Sequence, residues 1–248
     1  MLEVDALAAS ANATFDGRDY ALLSQEGGFW GVIGVGADKL VGEYPVVITL
    51  FDEAGGVLTR LDASVEVVDT VFPVEAITLA PDQSALLTPA LSEQEAAMRG
   101  AIYSVHTPEQ HWEGVFIQPL PGPISSQYGI GRSYNGGPVT SFHHGTDFAL
   151  DAGTPVAASN SGVVAFSGEL PIRGLSVILD HGGGVFTAYH HLAEVAVAEG
   201  QFVSIGDLVG FVGASGLATG PHLHWELVVG GVEVDPMLWT FDPVGPSG

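Results

Sequence analysis

The sequence predicts a mainly β chain, on three observations. Runs rich in Val, Ile, Phe and Thr recur between Gly, Pro, Asp and Asn, and with 34 Gly and 15 Pro in 248 residues the punctuation is dense. Apolar positions rarely recur at the 3.6-residue period of a helix. Period-two alternation does occur: Leu61, Ala63, Val65 and Val67 stand against Arg60, Asp62, Ser64 and Glu66. A hydrophobic fraction of 46% supplies a core and excludes disorder. The length allows one large or two ordinary domains.

Residues 3–72 are expected to form the first unit. Tyr44–Phe51 reads as an apolar strand, Asp52-Glu53-Ala54-Gly55-Gly56 as a hairpin turn and Val57–Val68 as the return strand. With shorter strands at Tyr20–Leu23 and Phe29–Val35, this suggests a small Ig-like β-sandwich. Residues 73–116 read as a connector with one helix, running from Ser92 to near Val105. Ser92 is its expected N-cap, with Glu95 three residues on as in a capping box. Pro119, Pro121 and Pro123 mark the next boundary. Residues 117–242 form a Gly-dense, β-rich second unit, with strands at Val163–Phe166, Ser176–Leu179, Val185–Tyr189, Leu208–Val212 and His222–Val229.

The charge narrows the partners. There are 29 acids against 6 Lys plus Arg, a net charge of −23. Six scattered cations assemble no basic patch, so no nucleic acid is expected as a partner, nor an anionic membrane surface. No stretch reaches the roughly 18 apolar residues of a membrane span, so no membrane insertion is expected. The chain has no Cys, which removes a thiolate zinc knuckle, a Cys nucleophile and a disulfide scaffold. Any metal site must use His, Asp or Glu. Histidine, nine in number, outnumbers all the fixed positive charge.

Seven of these histidines fall between residues 143 and 224, in four short segments. His222 and His224 are two apart in an apolar stretch, and on a strand such positions share a face. Taken alone they equally fit an exposed polar pair. His143 and Asp147 are four apart across Gly145, which disfavours a helix; on an extended segment they again share a face, and a turn ion pair is the plain alternative. Two imidazoles and one carboxylate suit Zn²⁺ and leave a fourth position for water, the mark of a catalytic site. A hydrolase of that kind also needs a proton acceptor and an oxyanion donor, which imidazole supplies near pH 7. His190-His191 taken alone reads as a solvent-facing pair. Arg132 fits a structural ion pair better than a substrate contact, and Glu226 fits either a carboxylate behind a ligand histidine or an exposed strand position. Tyr189 and Tyr128 fit packing better than a groove lining. Gly213-Ala214-Ser215-Gly216 is not a nucleophile elbow, which disfavours a serine hydrolase.

Taken together and in order, the segments resemble a known family. His143-x-Gly145-x-Asp147, Tyr189-x-His191-Leu192 and Gly220-Pro221-His222-Leu223-His224-Trp225-Glu226 are similar to the motifs of the lysostaphin-type (LytM-like) zinc metallopeptidases, peptidoglycan endopeptidases with the duplicated hybrid motif fold. The text between them is similar too: Gly153-Thr154-Pro155-Val156, Gly162-Val163-Val164, Asp180-His181-Gly182 and Gly210-x-Val212-Gly213. The resemblance covers residues 118–240. It implies His143, Asp147 and His224 as ligands of one Zn²⁺ per chain, His191 and His222 as catalytic histidines, an open substrate groove, and a peptidoglycan peptide as substrate. His222 is favoured as base because it shares a strand with a ligand. The spacing of four selects His143 over His144; His144 and His190 fit supporting contacts or plain exposure, and His181 reads as structural.

The expected protein is therefore a monomeric zinc endopeptidase acting outside the cell, in the periplasm or in the cell envelope, as a mature chain stripped of its signal peptide. A non-catalytic cell-wall-binding or hydrolase-activating relative is the alternative, disfavoured because all five motif residues are present. Whether Gly–Gly or D-Ala–diamino-acid links are cut stays open. So does the role of the first unit as spacer, wall-targeting module or lid. A lid predicts that a chain starting near residue 117 is more active than the full one.

Overall fold

The computed structural model describes residues 8–245, so residues 3–7 of the first unit lie outside it. The expectation of a mainly β chain holds. Six strands lie in the first unit: β1 (Ser10–Phe15), β2 (Arg18–Ala21), β3 (Leu23–Gln25), β4 (Gly28–Trp30), β5 (Gly42–Phe51) and β6 (Val57–Val67). The connector carries β7 (Val74–Ile77) and helices α1 (Pro81–Ser84) and α2 (Pro89–Tyr103). Then come β8 (Ile124–Ser126), β9 (Gly131–Tyr134), β10 (Val139–Phe142), β11 (Thr146–Phe148), β12 (Pro155–Ala157), β13 (Gly162–Leu170) and β14 (Gly174–Gly182). The last strands are β15 (Val185–His190), β16 (Leu192–Val195), β17 (Phe202–Val203), β18 (Leu208–Val212), β19 (Leu223–Val229) and β20 (Val232–Val234).

Where a sandwich was expected, the described residues of the first unit form one antiparallel sheet, ordered β2-β1-β5-β6, beside the β3-β4 hairpin. Asp16 and Gly17, both at positive φ, make the two-residue β1–β2 turn that matches strand twist. The Asp52 carboxylate closes the β5–β6 turn by accepting from the Ala54 and Gly56 N–H groups. The sheet is covered by the rest of the chain instead of by a second sheet of its own. Ala13, Phe15, Tyr20 and Val46 pack with Trp112, Phe116, Val185, Leu227, Val229 and Trp239 in one buried cluster. A small sheet buries too little apolar surface alone, and borrowing a face from a larger neighbour supplies it.

The connector is also built into the larger body. The β7 strand adds in parallel to β9, giving a β10-β9-β7 sheet that sets Glu75 opposite Arg132. Helix α2 starts three residues before the expected point. Its N-cap is Thr88, whose Oγ1 accepts from the Leu91 N–H at 3.3 Å, and Pro89 fills the first helical position. Ser92 lies inside the helix, and Glu95 makes tertiary contacts in place of a capping box.

The main sheet is ordered β17-β13-β14-β15-β19-β11-β8, with β20 also paired to β19. Strands β15 and β19 are buried at every position, which their nearly continuous apolar sequences allow. A second sheet, β12-β18-β16, helps enclose a core around Phe148, Val177, Leu179, Tyr189, Leu223 and Trp225.

Candidate active site

Strand pairing brings the motif residues together. In the β11–β19 pair Asp147 lies opposite His224, and in the β15–β19 pair His190 lies opposite His224. Gly145 is needed for this approach, because a Cβ there would sit 2.3 Å from the Trp225 carbonyl oxygen. His143 follows β10 and is anchored by Nδ1, which donates to the Gln127 carbonyl at 2.8 Å.

Three ligand atoms converge. His143 Nε2 lies 3.0 Å from Asp147 Oδ1 and 3.0 Å from His224 Nδ1, and His224 Nδ1 lies 2.7 Å from Asp147 Oδ1. Ligand atoms about 2.0–2.1 Å from a tetrahedral zinc lie roughly 3.3 Å apart, so this triangle has nearly the size of one tetrahedral face. The tautomers agree. His143 Nδ1 faces a carbonyl and His224 Nε2 faces the Glu226 carboxylate at 2.9 Å, both pure acceptors, so the converging nitrogens present lone pairs when the rings are neutral. The residues present therefore fit a metal ion. Among the described residues, these three form the group that could hold one.

Without a metal ion, protons take its place between these side chains, and a metal would displace them. Burial raises the Asp147 pKa, but hydrogen bonds from His143 and His224 outweigh it and hold the carboxyl well below the usual carboxylate range. Burial lowers the pKa of His143. Burial also works to lower that of His224, but its bonds to Asp147 and Glu226 raise it on balance. The second Asp147 oxygen accepts from Arg132 Nη2 at 3.3 Å, and Arg132 Nη1 donates to Glu75 at 2.6 Å. Arg132 is thus an ion-pair residue, bonded to one of the three converging side chains.

His191 and His222 stand beside the triangle with ring centroids 4.7 Å apart. His191 Nδ1 donates to the Ser215 carbonyl at 2.7 Å and His222 Nδ1 to the Gly220 carbonyl at 2.9 Å. Each neutral ring is left with an accepting Nε2. Burial holds the pKa of His191 well below the ordinary histidine value. His191 adopts φ +61°, a left-handed conformation sparsely used by residues with a side chain and found where structure holds a functional group in place. His222 precedes β19 instead of lying in it, bridged to Gly213, and its Nε2 is 4.0 Å from Asp147 Oδ1.

The remaining histidines separate. His190 is buried behind the site, with Nδ1 2.8 Å from Ser176 Oγ and its ring stacked on His224. His144 turns away, half exposed, 3.5 Å from Glu233. His181 is buried between the Ser161 carbonyl and Thr187 Oγ1, far from the triangle in its contacts. Tyr189 is core, its hydroxyl accepting from the Ser159 N–H, and the Tyr128 hydroxyl ties Ala37 to Glu233.

Four residues of the charged network behind the triangle were not anticipated in the sequence: Glu75, Glu95, Arg99 and Arg173. Glu226, weighed and left open, lies in the middle of three of them. It is fully buried, and its Oε1 accepts from His224 Nε2 and from Arg173 Nη2 at 2.7 Å. Its Oε2 accepts from Arg99 Nη2. Burial raises the Glu226 pKa, but Arg173 and Arg99 outweigh it and hold the group well below the carboxylate range. A signal was present: in a chain with only six Lys and Arg, three of them (Arg99, Arg132 and Arg173) lie here. The site opens into a groove of about 760 Å³, one wall of which is the connector, including Glu75, Ile77, Leu87 and Ser92. Gln83 Nε2 reaches the opposite wall, donating to the Ala218 carbonyl at 2.6 Å.

Comparison with known proteins gives three findings. Residues 141–236 match the model of Peptidase family M23. The chain is 41% identical over 121 residues to the peptidoglycan DD-endopeptidase ShyA of Vibrio cholerae, covering 46% of this chain and 28% of that protein. It is 45% identical over 95 residues to the DD-carboxypeptidase/endopeptidase Mpg of Neisseria meningitidis, covering 38% and 22%. The chain thus spans about a quarter of the length of these relatives. A solved structure from Pseudomonas aeruginosa assigned to peptidase M23 superposes with a TM-score of 0.71 at 27% identity, covering 97% of this chain and 92% of that one. That overlay extends across the first unit and connector as well as the matched region.

Proposed function

We propose, on the match of residues 141–236 to Peptidase family M23, that the chain is a zinc-dependent endopeptidase that hydrolyses peptide cross-links of bacterial peptidoglycan. The observation that carries the reading is the convergence of His143 Nε2, Asp147 Oδ1 and His224 Nδ1, with both imidazole tautomers fixed from behind. One zinc held there supplies Lewis-acid activation of water and of the scissile carbonyl.

The chain's own residues do the rest. The groove holds an extended peptide between apolar lining residues that include Ile77, Tyr134 and Leu217. We assign His222 as the base, because its free Nε2 is 4.0 Å from a ligand oxygen. It takes the proton of the attacking water and passes it to the leaving amine nitrogen. His191, held at its unusual φ by bonds to the Arg173 and Ser215 carbonyls, is assigned as the oxyanion donor through its Nε2. It takes up the water's second proton at Nε2, donates that N–H to the developing oxyanion, and gives the proton up to the leaving amine as the C–N bond breaks. The named activities of the relatives support peptidoglycan as the substrate, and with it an envelope or extracellular place of action.

The test is digestion of purified peptidoglycans of two cross-link chemistries, with fragments read by mass spectrometry with and without chelator. Release of cross-link fragments, stopped by chelator and restored by zinc, is the expected result. Intact cross-links with a zinc-loaded chain would sink the activity, and a chain that takes up no zinc would sink the metal reading.

A further inference from the structure

Helix α2 lies outside residues 141–236, yet its buried face ends at the metal-binding triangle. Glu95 and Arg99 are one turn apart on that helix and are its buried residues. Arg99 Nη2 donates to Glu226 Oε2 and, at 2.9 Å, to Glu233 Oε1. Glu95 Oε1 accepts from Arg173 Nη1 at 2.6 Å, and Glu95 Oε2 accepts from the Arg173 N–H at 2.9 Å and from the Ile172 N–H. Arg173 in turn donates to Glu226 through Nε at 2.8 Å, and its carbonyl accepts the His191 N–H at 3.0 Å. Glu226 is the acceptor that holds His224 Nε2–H.

A fully buried carboxylate is costly unless it is paired and hydrogen-bonded. Here the compensation comes from two guanidiniums. One sits on α2, and the other is clamped by α2 through Glu95. The orientation of Glu226 therefore depends on a helix well upstream in sequence. A carboxylate acceptor behind a ligand imidazole fixes its ring and its tautomer.

We propose that α2 is an integral part of the catalytic unit, with Arg99 as a positioning residue that fixes the Glu226–His224 hydrogen bond and thereby sets the affinity of the His143–Asp147–His224 group for its metal. Glu95 has the same role one step further back, through Arg173. This rests on the zinc reading above.

The test is zinc affinity of the full chain, measured by competition with a chromogenic chelator, together with thermal unfolding. Arg99→Met is expected to bind zinc about tenfold more weakly, as changes behind a ligand histidine do, and Arg99→Lys to recover part of the loss. Ile102→Ala, which trims apolar packing on the same helix without touching the ion network, is expected to lower the melting temperature and leave zinc affinity unchanged. Should Arg99→Met not fold, Glu95→Gln is read instead, with several-fold weaker binding expected. Wild-type affinity in the folded Arg99 or Glu95 variant overturns the inference while leaving the zinc reading intact. An equal loss in Ile102→Ala overturns it too, by showing that general loosening of α2 is enough. A wild-type chain that takes up no zinc overturns both.

Discussion

His224 Nε2 and Glu226 Oε1, two residues apart on β19, are joined by a 2.9 Å hydrogen bond that turns His224 Nδ1 toward Asp147 and His143. Positions i and i+2 share a strand face, so this contact is local. Glu226→Gln removes the charge but keeps the shape, and leaves Arg99 and Arg173 facing a neutral amide. We expect zinc affinity to fall about 10- to 100-fold and stability to drop by about 3 kcal/mol, because Arg99 and Arg173 each lose one of two carboxylate partners. Chelator competition and urea unfolding check both parts.

His191→Ala and His222→Ala should separate binding from chemistry. Neither residue is in the converging triangle, so each variant should retain close to one zinc per chain. The rate of cross-link cleavage should fall by roughly 10² to 10⁴, the usual contribution of a positioned acid or base. Metal analysis beside single-turnover cleavage decides; loss of zinc in either variant would make it a ligand.

Stability should decline as the pH falls below neutrality, in two steps. His181 is pushed down to about 4 by burial, despite its bond to the Ser161 carbonyl. The folded state keeps it neutral while the unfolded chain protonates it near 6.5, so stability is lost as pH falls from 6.5 toward 4. Glu233 is held at about 2, because the bond to His144 and the charge of Arg99 outweigh the upward effect of burial. Its stabilisation is present above pH 4.5 and lost as pH falls toward 2. Urea unfolding at pH 7, 5.5, 4 and 3 gives the slope, and NMR titration of His181 gives the group; an imidazole titrating near 6.5 would contradict the first step.

The first unit should unfold with the second, not before it. Phe15 is buried in the cluster shared with Trp112, Phe116, Leu227 and Trp239. Phe15→Ala is expected to cost about 3–5 kcal/mol while leaving a single transition. A chain starting near residue 117 would expose that apolar face and lose Glu95 and Arg99, so it should be poorly soluble and weakly active. Higher activity than the full chain would instead support the lid.

With 29 acids against 6 cations, the chain repels an anionic wall polymer. Cleavage of intact wall should rise as salt screens that repulsion, up to about physiological ionic strength. A steep fall over the same range would show that attraction, not screening, brings the chain to its substrate.

The strands around the site were legible because their signals are local. Leu208–Val212 reads directly, and Ser176–Leu179 lies inside the longer β14. The start of α2 was misplaced because Ser92 and Glu95 match a capping box as well as Thr88-Pro89 matches a helix start, and sequence alone does not show that Glu95 is spent on Arg173. The single-sheet form of the first unit was hidden for a related reason: the residues covering it, such as Trp112 and Leu227, lie far along the chain.

The sequence by itself determined the five motif residues and their spacing, and a strand's period of two places His224 and Glu226 on one face without help from elsewhere. Only the tertiary structure decided what stands behind them. Arg99 lies 127 residues from Glu226 and Arg173 lies 53 residues from it, and no periodicity links such distances. A buried carboxylate needs compensating charge from somewhere, and in a chain this poor in cations the fold brings it from a helix and a turn that lie outside the motifs.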